Sequence, residues 1–111
     1  CRINAENPSR NFAPCPGKIK FLNLPGGNGI RVDTAGYPGY TIPPLYDSMI
    51  AKLIVHGKTR EEAIRKMISA LEEVVIDGID SNVDFHISIL NNKRFREGSF
   101  DTSFISEEFG L

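Results

Sequence analysis

The chain has 111 residues, 41% of them hydrophobic and 24% charged, with a net charge of −1; this is one globular domain with a modest core rather than a disordered segment. So balanced a charge offers no basic footprint for nucleic acid or an anionic membrane, and no apolar run nears the roughly 18 residues that span a bilayer. The two cysteines, Cys1 and Cys15, lack the spacing of a redox or zinc motif and read as unpaired thiols of a cytoplasmic protein.

The first half reads as strands separated by turn chemistry. Arg2-Ile3-Asn4 alternates as a strand does, and because the chain opens inside it without a Met, a longer polypeptide is expected upstream. Residues 7–16 hold three prolines and are irregular. Lys18-Ile19-Lys20-Phe21-Leu22 alternates as a half-buried strand. Pro25-Gly26-Gly27-Asn28-Gly29 supplies a reversal, and Ile30-Arg31-Val32-Asp33-Thr34 is expected to return as the partner strand of a hairpin. Residues 36–47 contain three tyrosines, three prolines and two glycines. They form an ordered loop packed on the sheet, with Tyr37, Tyr40 and Tyr46 as packing groups rather than a ligand cage. This loop delivers Asp47 to a long apolar run, residues 48–56, that fits a central strand.

The second half is helical. Thr59 and Glu62 form a capping box. Ile64, Met67, Ile68, Leu71 and Val74 or Val75 then line one helical face. Ile76-Asp77-Gly78-Ile79 ends the helix and adds a short strand. Ser81 with Asp84, or Asp80, opens a second helix with Val83, Ile87 and Leu90 buried, closed by Asn91-Asn92 through a left-handed cap. A short charged helix follows, then an amphipathic segment over residues 102–109 anchored by Phe104, Ile105 and Phe109. Strands first and helices after, without strict alternation, predict an α+β domain over residues 1–111, its mostly antiparallel sheet covered by helices on one face.

These residues carry a resemblance. Cys1-Arg2-Ile3-Asn4-Ala5-Glu6, Pro16-Gly17-Lys18-Ile19, Gly26-Gly27-Asn28-Gly29-Ile30-Arg31, Tyr46-Asp47-Ser48-Met49-Ile50-Ala51-Lys52-Leu53-Ile54 and Asp77-Gly78-Ile79-Asp80-Ser81-Asn82 resemble, in order, the C-terminal domain of biotin carboxylase. The subunit type of bacterial acetyl-CoA carboxylase is the nearest match, and propionyl-CoA, methylcrotonyl-CoA and pyruvate carboxylases share the domain. The resemblance implies an ATP-dependent ligase of fatty acid biosynthesis that carboxylates biotin on a carrier protein from bicarbonate. It also implies a carboxyltransferase component, a homodimer, and an upstream ATP-grasp domain that binds Mg2+ and most of the ATP. Without that domain, the 111-residue piece is expected to be inactive.

By the same resemblance, Arg2 is the biotin-contacting catalytic arginine, a fixed cation facing the ureido oxygen as negative charge builds. From pattern alone it is a surface strand arginine. Asp47 is expected to orient an active-site arginine by a bidentate pair; the plainer role is a carboxylate accepting from backbone N–H groups at the head of its strand. Asn28 and Arg31 fall in the dimer region, where Asn28 replaces an aromatic of some relatives and Arg31 either crosses the two-fold axis or pairs with Asp33. Thr102 matches a segment beside the nucleotide base, although it or Asp101 also suits a helix cap. His56 and His86 sit in no cluster with metal-ligand spacing, so no metal site is expected. The rival from another class is a free-standing interaction domain on this scaffold, working through residues 26–31. A reading frame running from an ATP-grasp region into Cys1 favours the enzyme.

Overall fold

The computed structural model of the chain describes residues 1–44 and 47–111. In chain order its elements are β1 (Arg2–Asn4), β2 (Glu6–Asn7), β3 (Ala13–Pro14), β4 (Gly17–Lys18), β5 (Phe21–Asn23), β6 (Ile30–Thr34), β7 (Thr41–Ile42), β8 (Met49–Val55), α1 (Arg60–Glu73), β9 (Val75–Asp77), α2 (Val83–Asn91), α3 (Lys93–Glu97) and α4 (Phe104–Phe109). The apolar run that suggested a central strand is one: β8 lies between β1 and β6, and both neighbours are antiparallel to it. Three two-stranded ladders, β2–β3, β4–β7 and β5–β9, complete an all-antiparallel α+β domain.

Alternation along β1 and β8 sends Ile3, Ala51 and Leu53 to one face, where they meet Ile64, Met67, Ala70 and Leu71 of α1 and Val83 and Leu90 of α2. Burying each large side chain here contributes about 1.5–3 kcal/mol. The capping box of α1 forms, with the Thr59 hydroxyl accepting from Glu62 N–H at 3.1 Å. The Glu62 carboxylate reaches one residue further back than the usual motif, to the N–H of Lys58 at 3.2 Å. Around α4 the rings of Phe85, Phe95, Phe100, Phe104 and Phe109 pack edge-on or tilted, with Phe95 and Phe100 stacked at 4.9 Å, a small aromatic annex to the core.

Four local expectations are corrected. The segments on either side of residues 25–29 do not pair: β5 pairs with β9, and β6 with β8. The alternating run from Lys18 changes partner at fully buried Ile19, whose N–H donates to Tyr40 while Lys20 N–H donates to Asp77. Asn92 is extended (φ −69°, ψ 135°), not left-handed, because it also opens α3 and accepts from Phe95 N–H at 3.2 Å. The left-handed cap falls at Gly98 instead. The residue preceding α2 is Asn82, and its side chain does not cap the helix; neither Ser81 nor Asp80 takes that position. Of the tyrosines, Tyr37 and Tyr40 meet edge-on at 5.4 Å with Tyr37 largely exposed, and Tyr46 lies outside the described residues.

Candidate functional site

The face of the β1–β8–β6 sheet opposite the core is open. Cross-strand register places Arg2 beside Lys52, and Lys52 beside Asp33. Directly opposed residues of antiparallel strands share a face. All three are exposed, as are Arg31 and Ile54 in the next row. The row arises from period-two alternation: the same strands that bury Ile3, Ala51 and Leu53 must turn Arg2, Lys52 and Ile54 outward.

The arginine that Asp47 meets is Arg2, through a single oxygen rather than the bidentate pair expected of it. Arg2 Nη2 donates to Asp47 Oδ2 at 3.0 Å, and both side chains are about two-thirds exposed (60% and 64%). Asp47 is itself tied down, since its Oδ1 accepts from Met49 N–H at 2.9 Å at the head of β8. One carboxylate oxygen thus fixes the turn while the other aims the guanidinium. Among the described residues, Nη2 is the only guanidinium nitrogen of Arg2 with a protein acceptor. Its remaining N–H groups stay available as donors on an exposed guanidinium.

The backbone beneath Arg2 is held from α2. The Arg2 carbonyl accepts from Asn82 Nδ2 at 3.1 Å and contacts His86 Nε2 at 2.8 Å. A carbonyl only accepts, so His86 carries its proton on Nε2. Burial holds the imidazole below its usual pKa, opposed by the bond to that carbonyl. Asn82 Oδ1 accepts from Asn4 N–H at 2.8 Å, and Asn82 N–H donates to the Asn4 carbonyl at 3.3 Å.

Arg31 takes its local option. Its Nε and Nη2 form a fork on Asp33 at 3.1 and 2.8 Å, which raises the guanidinium pKa and lowers that of the carboxyl. It remains exposed on β6, the outer strand of the three-stranded sheet. Asn28 is exposed in the turn closed by the bond from Ile30 N–H to the Gly27 carbonyl. Thr102 is exposed ahead of α4, and it is Asp101 that accepts from Ser103 N–H there, at 2.9 Å. The structure therefore joins Arg2 to Asp47, sets Arg31 on the same sheet face, and leaves Asn28 and Thr102 in separate turns.

Sequence reasoning passed over Lys52, Asn82 and His86. The spacing of Asn82 and His86 by four residues, one helical turn, was the available signal. Among the described residues, no group of three His, Cys, Asp or Glu side chains can hold a metal ion, so the residues here do not fit a magnesium site. Both cysteines are free thiols, and no described helix is long and apolar enough to cross a membrane.

Residues 1–107 match the biotin carboxylase C-terminal domain. The chain is 59% identical over 105 residues to biotin carboxylase 1 of Bacillus subtilis (strain 168), covering 95% of this chain and 23% of that protein. It is 50% identical over 111 residues to biotin carboxylase of Haemophilus influenzae, covering 100% of this chain and 25% of that protein. Among solved structures it superposes at a TM-score of 0.94 and 48% identity on the biotin carboxylase domain dimer of Hydrogenobacter thermophilus 2-oxoglutarate carboxylase. That structure holds MgADP, ADP and bicarbonate; the match covers 96% of this chain and 24% of that one. The chain spans about a quarter of the length of the relatives it matches.

Proposed function

The chain belongs to the biotin carboxylase C-terminal domain family, and from that premise we propose that its open sheet face forms one wall of the pocket where biotin is carboxylated. Arg2 is the catalytic group this chain contributes. When ATP activates bicarbonate and the biotin ring loses its N–H proton, negative charge develops on the ureido oxygen. A guanidinium already oriented toward that oxygen stabilises the charge without reorganising at the moment of reaction. Asp47 positions it. The observation that carries this reading is the single-oxygen pairing of Arg2 with a carboxylate that is itself anchored to β8: it orients the cation and leaves further donors open for a carbonyl ligand.

Mg2+ and most of the ATP belong, on this reading, to an ATP-grasp domain upstream in a longer polypeptide. Residues 1–111 supply the C-terminal domain alone and are inactive by themselves. Thr102 lies at the edge of the nucleotide site. Asn28 and Arg31, with the outer edge of β6, face a second copy of the enzyme. Biotin arrives on a carboxyl carrier protein, and a carboxyltransferase passes the carboxyl group to acetyl-CoA, in the cytoplasm, for fatty acid synthesis.

The test is Arg2→Ala in the full-length enzyme. Biotin carboxylation should fall by about 10²–10³-fold, the scale for one lost oxyanion donor, while ATP binding, measured by calorimetry, stays within twofold. An unchanged carboxylation rate removes Arg2 from the chemistry.

A further inference from the structure

We infer that helix α2 sets the aim of Arg2 through its backbone, with Asn82 and His86 acting as positioning residues for the carboxylation step. The inference rests on the role proposed above for Arg2. An arginine whose side chain is 60% exposed has little packing of its own to fix its direction. That direction depends on where its backbone sits and on Asp47. On its β8 side this backbone is tied through Cys1 to Leu53, but the register slips just beyond Arg2, between Ile3 and Asn4.

Asn82 supplies what a neighbouring strand would. Its carboxamide straddles Ile3 on the outer edge of β1, donating to the Arg2 carbonyl and accepting from Asn4 N–H, while its own N–H reaches the Asn4 carbonyl. Its side-chain bonds therefore run to β1, and the residue is only 6% exposed. Only a carboxamide both donates and accepts across one strand residue in this way; a carboxylate loses the donor, and an apolar side chain leaves buried backbone groups unpaired. His86, one turn along α2, brings a second nitrogen to the same carbonyl at 2.8 Å, filling its two lone pairs. The rest of α2 is anchored in the core through Val83 and Leu90, so the clamp refers the position of Arg2 to the packed core of the domain. Displacements near 1 Å can cost about 10²-fold in rate, which makes such a reference consequential.

Asn82 is buried, so replacing it tests folding before function; His86 is the cleaner probe. In the full-length enzyme, His86→Leu removes one donor and should lower kcat for biotin carboxylation about threefold to tenfold, the scale of one lost neutral hydrogen bond. The KM for ATP should not move. His86→Gln, which can still donate to the carbonyl, should recover most of the loss. Placed on Arg2→Ala, His86→Leu should cost nothing more. A normal kcat for His86→Leu beside an impaired Arg2→Ala overturns this inference and leaves the Arg2 reading standing. An equal loss on the Arg2→Ala background also overturns it, by showing a general structural defect. If Arg2→Ala itself has no effect, the functional reading fails, and the clamp is decided by the Arg2 Nε–H resonance in enzyme labelled with 15N-arginine. A shift in His86→Leu that reverts in His86→Gln upholds the clamp, and an unmoved resonance overturns it.

Discussion

Asp47 makes two bonds with two oxygens, so two substitutions can separate them. Asp47→Asn retains an oxygen to accept from Met49 N–H but loses the charge facing Arg2, whereas Asp47→Ala loses both. For stability, an ion pair exposed to this degree is worth about 0.2–1 kcal/mol, and the turn bond about 0.5–1.5 kcal/mol. The expected losses are therefore below about 1 kcal/mol for Asp47→Asn and about 1–2 kcal/mol for Asp47→Ala, measured by urea denaturation of the full-length enzyme. For activity the two should be alike, because each frees the guanidinium to wander. A fall of about tenfold in biotin carboxylation corresponds to about 1.4 kcal/mol of lost transition-state stabilisation, less than removing Arg2 itself. Combined with Arg2→Ala, neither should lower the rate further. A wild-type rate for Asp47→Asn, or a rate that tracks stability rather than charge, would refute the orienting role.

Two further outcomes follow from the fold. Gly78 has φ +106°, and a Cβ there would run into the backbone carbonyl of Lys18 and the N–H of Lys20. Gly78→Ala should therefore destabilise the domain by at least the ~1–3 kcal/mol of such a dihedral, read as a lowered denaturation midpoint; an unchanged midpoint would contradict the packing of β9 on this loop. The second concerns pH. Burial lowers the folded-state pKa of His86 below the 6.5 of a free imidazole, so above that value the group is neutral in both states and costs nothing. As pH falls below 6.5, the unfolded chain takes up the proton first and stability declines until the folded-state pKa is reached. Stability measured at pH 7.5 and 5.5 should show this decline in the parent and a flatter profile in His86→Gln. The acidic groups with lowered values, Asp33, Asp101 and Glu107, titrate below this window.

What the sequence made legible was local. The apolar run of β8 and the Thr59–Glu62 cap of α1 are written in neighbouring residues, and they form where expected. The hairpin failed because glycines at residues 26–29 encode a reversal but not the partner: β5 finds its ladder at β9, more than fifty residues downstream, and only the assembled core selects it. The Asn92 cap failed for a different reason. Two helices share that residue, and its role as the opening of α3 requires the extended backbone that a left-handed stop excludes. At the site, Arg2 and Asp47 were each singled out through family resemblance, but forty-five positions separate them and only the fold shows that they pair. Asn82 and His86 escaped because their one-turn spacing marks a shared helix face but does not name the distant carbonyl they serve.

The carboxamide that straddles Ile3 also bears on how molecules of this kind stay apart. A short border strand with vacant amide and carbonyl groups is a template for sticking to another chain. Here that seam is sealed by a side chain from the same molecule, so the sheet cannot lengthen past β1. Any strand recruited from a neighbour has to arrive at β6, so a single asparagine closes one of the two margins to fibre-like growth.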